Sequence, residues 1–281
     1  MPYARTRLGR MFYIEHGASR HAGAPAVVLC HGYLFDNRQW DGQVGPLAKL
    51  GRVLVLDGPG HGKSEIPPRF SIEDHAEALT DLFRETGVDR VVMVGLSWGG
   101  MVAMRLALRH PAKVAALALL DTSAEAEPRR NVLKNRAFLS LHKHVGMPMG
   151  LFHRDVAPQM FGPDTLRDKK ELVASAARNA LGFSRLGVYQ SGLAVVVHRT
   201  SVLDRIAQIT APTLVICGED DAATVPEKSR NIAARIKGSR MVFIARSGHM
   251  TALEQPEAVN RELVPFVETA LAGDARPGTH A

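Results

Sequence analysis

A chain of 281 residues, 46% hydrophobic and 22% charged, can bury a large core, as one α/β domain with an insertion or as two small domains. No apolar run nears the roughly 18 residues of a membrane span, and no apolar run long enough for the core of a signal peptide follows Arg5, Arg7 and Arg10. Neither a membrane anchor nor a signal peptide is therefore expected, and the chain reads as cytoplasmic. The net charge of +7 raises nucleic acid or a membrane surface as partners, but Glu125 to Arg205 alone holds 13 Lys+Arg against 7 Asp+Glu. Those charges are mixed and lack interleaved aromatics, which reads as a solvated helical face, with neither nucleic acid nor membrane expected as a partner. Cys30 and Cys217 both sit in apolar, strand-like runs and read as buried reduced thiols.

Leu8 to Gly17 reads as a short strand. Ala26 to Cys30 is continuously apolar, as in a strand buried on both faces, and ends in His31-Gly32-Tyr33. Asp36 to Leu50 follows as a helix capped by Asp36 or Asn37, with Trp40, Val44, Leu47 and Leu50 facing inward. The next buried strand, Val53 to Leu56, empties into the Gly-rich loop Asp57 to Ser64. Ile66-Pro67-Pro68 after it, where a phosphate loop would need a helix, argues against phosphate binding. Ser71 caps a helix through Thr86, with Glu73 and Asp74 in its first turn. Val91 to Val94 is a strand, Gly95 to Gly100 a sharp turn, and Met101 onward a helix ending at His110-Pro111. A further strand, Val114 to Leu120, closes on Asp121. The stretch 124–205 then turns helical, punctuated by Pro148 and Pro163. Pro212 to Cys217 restores the strand pattern and leads into Gly218-Glu219-Asp220-Asp221. Pro226 to Lys237 is a helix, Met241 to Ile244 a last strand ending in Arg246-Ser247-Gly248-His249. A terminal helix opened by Gln255-Pro256 runs to about Leu271 and leaves a frayed tail at 273–281.

Apolar strands alternating with helices make a mostly parallel sheet covered on both faces, whose sites form beyond the carboxyl ends of the strands. Tyr33, Ser97, Asp121, Asp221 and His249 all follow strand ends and so share that edge. Gly95-Leu96-Ser97-Trp98-Gly99 fits Gly-x-Ser-x-Gly in the strand–turn–helix context that gives the pattern meaning. The bare pattern arises by chance in roughly one chain in ten of this length, so the rest of the edge must decide. A serine hydroxyl needs a base, and the base an orienting acceptor. His249, in the loop after the last strand, is the expected base. Asp221 is the expected acid, with Asp220 and Asp121 as alternatives. The order Ser97, Asp221, His249 is one of the three known triad orders. The backbone N–H of Trp98 and one from the His31 turn, Tyr33 or else Leu34, would hold an oxyanion. His31 itself reads as a loop brace.

His31-Gly32-Tyr33, Asp57 to Ser64, Gly95 to Gly100, Gly218 to Asp221 and Ser247-Gly248-His249 together resemble the α/β-hydrolase fold over nearly the full chain. In detail they resemble the branch holding 3-oxoadipate enol-lactonases, cofactor-free haloperoxidases and small bacterial esterases. The resemblance implies a core of residues 1–123 and 206–272 and a helical cap, 124–205, inserted before the strand that precedes the catalytic acid. It implies no cofactor and no metal. Pro59 departs from the Arg that relatives usually carry there. A serine nucleophile does not match the aspartate of haloalkane dehalogenases and epoxide hydrolases. Pocket candidates are His31, Tyr33, Trp98, Phe138, Met147, Phe152, Met160 and Met250. The expected activity is hydrolysis of a small-to-medium carboxylic ester or lactone. A carbon–carbon hydrolase or perhydrolase-type haloperoxidase is an alternative, and so is a ligand-binding sensor on the same scaffold.

Overall fold

The computed structural model describes residues 2–273. The expected tail therefore lies, from residue 274 on, outside the described residues. Eight strands form one sheet: β1 (Tyr3–Thr6), β2 (Gly9–His16), β3 (Ala26–Cys30), β4 (Val53–Leu56), β5 (Val91–Leu96), β6 (Val114–Leu120), β7 (Thr213–Gly218) and β8 (Arg240–Ile244). Their order is β1-β2-β4-β3-β5-β6-β7-β8. The β1–β2 and β2–β4 pairs are antiparallel and every other pair is parallel. Strands β3, β4, β5 and β7 are buried along their whole length, as continuous apolar sequence demands of strands covered on two faces.

The helices are α1 (Asp41–Ala48), α2 (Ile72–Thr86), α3 (Trp98–Arg109), α4 (Arg129–Val145), α5 (Lys170–Gly182), α6 (Arg185–Gly192), α7 (Pro226–Arg235) and α8 (Pro256–Ala272), besides shorter turns. The apolar side chains of α2 and α3 cover one face of the sheet together with Val28, Cys30, Leu54 and Met93. The opposite face, with Val27, Leu29, Val53 and Val92, packs against α8. Among the described residues no single helix is long and apolar enough to cross a membrane.

Local chemistry explains the element ends. Ser71 accepts the Asp74 N–H and Asp74 accepts the Ser71 N–H, a reciprocal capping box, and Gly87 ends α2 at φ +64°. The helix expected from Asp36 is divided: Asp36 accepts the Arg38 N–H to cap a 3-10 turn over Asn37–Trp40, and α1 starts only at Asp41. The strand expected over residues 8–17 is β2, and β1 precedes it as a strand the sequence did not announce. Strand β1 is a four-residue edge strand with only Ala4 buried, too short and too polar to show a pattern.

The parallel register sends the strand ends to one edge. Cys30 pairs with Gly95, Leu96 with Leu120, and Leu120 with Ile216. Helix α3 lies so close beneath that edge that Gly99, in its first turn, has no room for a side chain. A Cβ on Gly99 would fall 2.1 Å from the Cys30 carbonyl oxygen, and one on Gly95 2.3 Å from the Gly99 carbonyl carbon. Both obstacles are backbone, which cannot swing aside. Replacing Gly99 by Ala is expected to destabilise the protein by about 3 kcal/mol or more. Gly182→Ala, at a helix position with nothing within 4 Å of the new Cβ, should be neutral or stabilising by up to ~1 kcal/mol. Urea unfolding of the two variants beside wild type checks both outcomes.

Candidate active site

Ser97 occupies the turn between β5 and α3 at φ +53°, ψ −110°, a conformation costly for a residue with a Cβ. Three hydrogen bonds hold it there. Its N–H donates to the Leu120 carbonyl at 2.9 Å, and its carbonyl accepts the Met101 N–H at 3.0 Å and the Thr122 hydroxyl at 2.7 Å. The free N–H groups that open α3 therefore cluster beside a fixed serine.

The turn after β3 lies against it. A Cβ on Gly32 would sit 3.5 Å from the Ser97 Cβ. His31 braces this turn: its Nε2 accepts the Gly58 N–H at 2.7 Å, so its Nδ1–H donates to the Gly32 carbonyl at 2.7 Å. Leu34 stands at φ +69°, and its N–H donates to His61 Nε2 at 3.3 Å, which commits that donor. Burial, with a smaller contribution from His31, pushes His61 down to about 3, so it is neutral and able to accept.

His249 is buried after β8, and its Nδ1 lies 3.0 Å from each carboxylate oxygen of Asp221. Asp221 is itself fixed. Its Oδ1 accepts the Ala223 and Thr224 N–H groups, both at 2.9 Å, and its Oδ2 accepts the Thr224 hydroxyl at 2.8 Å. That hydroxyl is 3.3 Å from His249 Nδ1. Asp220 is exposed and does not join the group. Asp121, the other alternative, is buried and serves the loops instead. It accepts the Gly218 N–H at 2.9 Å, the Thr251 N–H at 3.3 Å and the Thr251 hydroxyl at 2.5 Å.

Burial disfavours the His249 imidazolium more than any other single influence does. The Asp221 charge and hydrogen bond, followed by Asp121 and Glu254, oppose it, and the balance leaves the pKa above the usual histidine value. The Asp121 carboxyl is held well above the carboxylate range, first by burial and then by the neighbouring Asp221 charge. Asp121, Cys217 and Asp221 each bring one ligand atom within 4.8 Å of the others. The carboxylate oxygens of that trio are already taken by N–H and hydroxyl donors, and burial pushes the Cys217 thiol up. The group is built as a hydrogen-bonded floor for the loops.

The remaining pocket candidates divide. Phe152, Met147, Met160 and Met250 join one apolar layer with Leu34, Phe35 and Phe161. The Trp98 ring is buried on the other face of the sheet, wedged among His31, His61, His75 and Phe70, so only its backbone faces the serine turn. Tyr33 spans the gap to α6, its hydroxyl donating to the Val188 carbonyl at 2.8 Å. Phe138 lies half-buried on α4.

Two residues that sequence reasoning missed complete the surroundings. Thr224 carries a local signal: it stands three residues after Asp221, the spacing at which a side-chain oxygen meets a backbone N–H. Glu254 carries little, because besides the nearby Met250 N–H its partner is Gly162, far back in the chain. It is fully buried, and accepts the Gly162 N–H at 2.8 Å and the Met250 N–H at 3.1 Å.

An alpha/beta hydrolase family model matches residues 27–262. An esterase of Thermogutta terrifontis superposes with a TM-score of 0.87 at 27% identity, covering 95% of this chain and 98% of that one. The enol-lactonase of Burkholderia xenovorans superposes with a TM-score of 0.86 at 27% identity, covering 95% and 99%. The rat bifunctional epoxide hydrolase 2 is 26% identical over 93% of this chain, which spans only 54% of that longer protein. A sheet of this order, a serine held at positive φ between strand and helix, and a match of this extent agree: the chain belongs to the alpha/beta hydrolase family.

Proposed function

We propose that the protein is a serine hydrolase that cleaves a small-to-medium carboxylic ester or lactone through an acyl-serine intermediate. The observation that carries this reading is the buried His249, its Nδ1 3.0 Å from both oxygens of Asp221, at the sheet edge that also holds the strained Ser97. The esterase and enol-lactonase among its structural relatives support the choice of bond. The epoxide hydrolase match does not guide it, because serine stands at the elbow.

In this mechanism Ser97 Oγ attacks the carbonyl carbon and passes its proton to His249 Nε2. Asp221 keeps the imidazole in the Nδ1–H tautomer and balances the charge it gains. The oxyanion accepts from the N–H of Trp98 and, since Leu34 is committed to His61, from that of Tyr33. Collapse breaks the bond to the alkoxy oxygen, which takes the proton from His249. Water, deprotonated by His249, then attacks the acyl carbon and releases acid and free serine. The helical segment 124–205 acts as a cap, with Phe152, Met147, Met160 and Met250 offering an apolar wall. Ser97 is only 7% exposed, so an ester reaches it when this cover shifts.

A fluorophosphonate probe is expected to label wild type at one site and to leave Ser97→Ala unlabelled. Ser97→Ala and His249→Ala are each expected to lower kcat on a p-nitrophenyl ester by about 10³-fold or more. Failure of the folded wild type to take the probe would overturn the assignment.

The pH dependence has a defined sign. His249 acts as a base only when neutral, so activity falls as pH drops through its pKa, and the raised value puts that acid limb above the usual histidine range. Removing the Glu254 charge takes away one of the contributions that raise it. Glu254→Gln should therefore move the acid limb of kcat/KM to lower pH, while Glu257→Gln, at the start of α8, leaves it in place. A kcat/KM–pH profile of the three proteins decides; an unmoved limb in folded Glu254→Gln removes Glu254 from the electrostatics of the base.

A further inference from the structure

The positive charge of the helical segment is not evenly mixed. Between Glu127 and Asp155 the sequence has no acidic residue and carries Arg129, Arg130, Lys134, Arg136, Lys143 and Arg154. Most of these belong to α4, whose inner side buries Leu139 and His142. Its outer side is not the polar face that a solvated helix presents. Leu133, Ala137, Leu141 and Val145 recur at intervals of four and form one outward ridge. Leu133 is 73% exposed, Leu141 59% and Val145 65%. Met149, just beyond the helix, is also exposed. Among the described residues, Arg129, Arg130 and Arg136 enter no ion pair, and all three are exposed.

Each half of this pattern alone is ordinary. Scattered exposed leucines need no explanation, and basic surface helices are common. Together on one helix that has no carboxylate of its own, with Asp155 beyond it paired to Arg154, they fit a surface that is negatively charged and takes up apolar side chains. We propose that the outer face of α4 adsorbs to an anionic lipid surface, with Leu133, Leu141 and Val145 entering the headgroup boundary and Arg129, Arg130, Lys134 and Arg136 meeting lipid phosphates. Arg and Lys stems reach past buried apolar neighbours to such phosphates. A second copy of the chain suits the face poorly, since a twofold contact through it would press two acid-free cationic ridges together. The inference does not depend on the reaction proposed above. It gives that reaction a setting, because α4 packs on α6, whose Val188 carbonyl receives the Tyr33 hydroxyl.

The test is flotation of the full chain with vesicles of phosphatidylcholine, alone or mixed with phosphatidylglycerol. Wild type is expected to float with the anionic vesicles, not with the neutral ones, and to be released by added salt. Each cation removed should weaken binding about fivefold, so Arg130→Gln/Lys134→Gln should lose about 25-fold. Leu133→Ser/Leu141→Ser should also lose binding, with no fall in thermal stability or in activity on a soluble ester, because both side chains already face outward. Equal flotation with neutral vesicles, or none with either, overturns the proposal. So does a dimer in light scattering that the two leucine substitutions dissolve, an outcome that would assign the ridge to a second copy.

Discussion

The contact between the first turn of α3 and the end of β3 is the constraint from which the rest of the edge follows. No side chain fits between Gly99 and the Cys30 carbonyl, so helix and strand meet backbone to backbone. That approach leaves the chain no relaxed path from β5 into α3. Ser97 absorbs the turn at positive φ, and bonds from Leu120, Met101 and Thr122 offset a strain of about 1–3 kcal/mol. The same closeness turns the Gly32 side of the β3 loop against Ser97, with His31 holding that loop by both ring nitrogens. A fixed serine, the open N–H groups of a helix start and a second braced loop are thus one packing solution.

Around His249 the governing quantity is charge. Three buried carboxyl groups, Asp221, Asp121 and Glu254, surround one imidazole, and the interior cannot hold them all ionised cheaply. Their environments separate them. Asp221 receives two N–H groups and a hydroxyl besides the imidazole. Asp121, next to Asp221, is driven toward its protonated form. Glu254 is spread over two backbone N–H groups. One carboxylate is thereby matched to the ring, and the other two carboxyl groups are held by backbone and hydroxyl donors. The arrangement resists simple substitution, because removing either outer carboxylate also leaves backbone donors unpaired.

Much of this was legible in the sequence, for reasons that can be named. Parallel strands buried on both faces must be apolar throughout, so β3, β4, β5, β6 and β7 stood out, and with them the residues at their carboxyl ends. Ser71 with Asp74, and Asp221 ahead of Thr224, are local hydrogen-bond grammars. What stayed hidden depends on long-range partners. Strand β1 takes its identity from β2 and from the packing of α2, not from its four residues. Glu254 reads as an ordinary helix-start carboxylate until Gly162, 92 residues earlier, is brought to it. A charge count over Glu125 to Arg205 averages the acid-free stretch with the acids on either side of it, although that stretch has its own helix and its own face.

The helical segment is seated on the core by backbone as much as by side chains. A Cβ on Gly187 would fall 2.2 Å from the Gly60 carbonyl oxygen, and one on Gly248 2.4 Å from the Gly162 nitrogen. Each contact pins a different part of the segment beside a functional loop: Gly187 over the Gly-rich loop that carries His61, and Gly162 over the loop that carries His249. Asp164 with Arg246, and Lys169 with the Glu254 carbonyl, strengthen the second seat. Displacing residues 161–169 would therefore unseat Glu254 beside His249, whereas displacing α4 and α6 breaks the Gly60 contact, the Tyr33 hydroxyl bond and the packing of Val188 but none of the hydrogen bonds of Glu254. For the cover invoked in the proposed mechanism, a shift on the α4–α6 side is the one that leaves the surroundings of His249 intact.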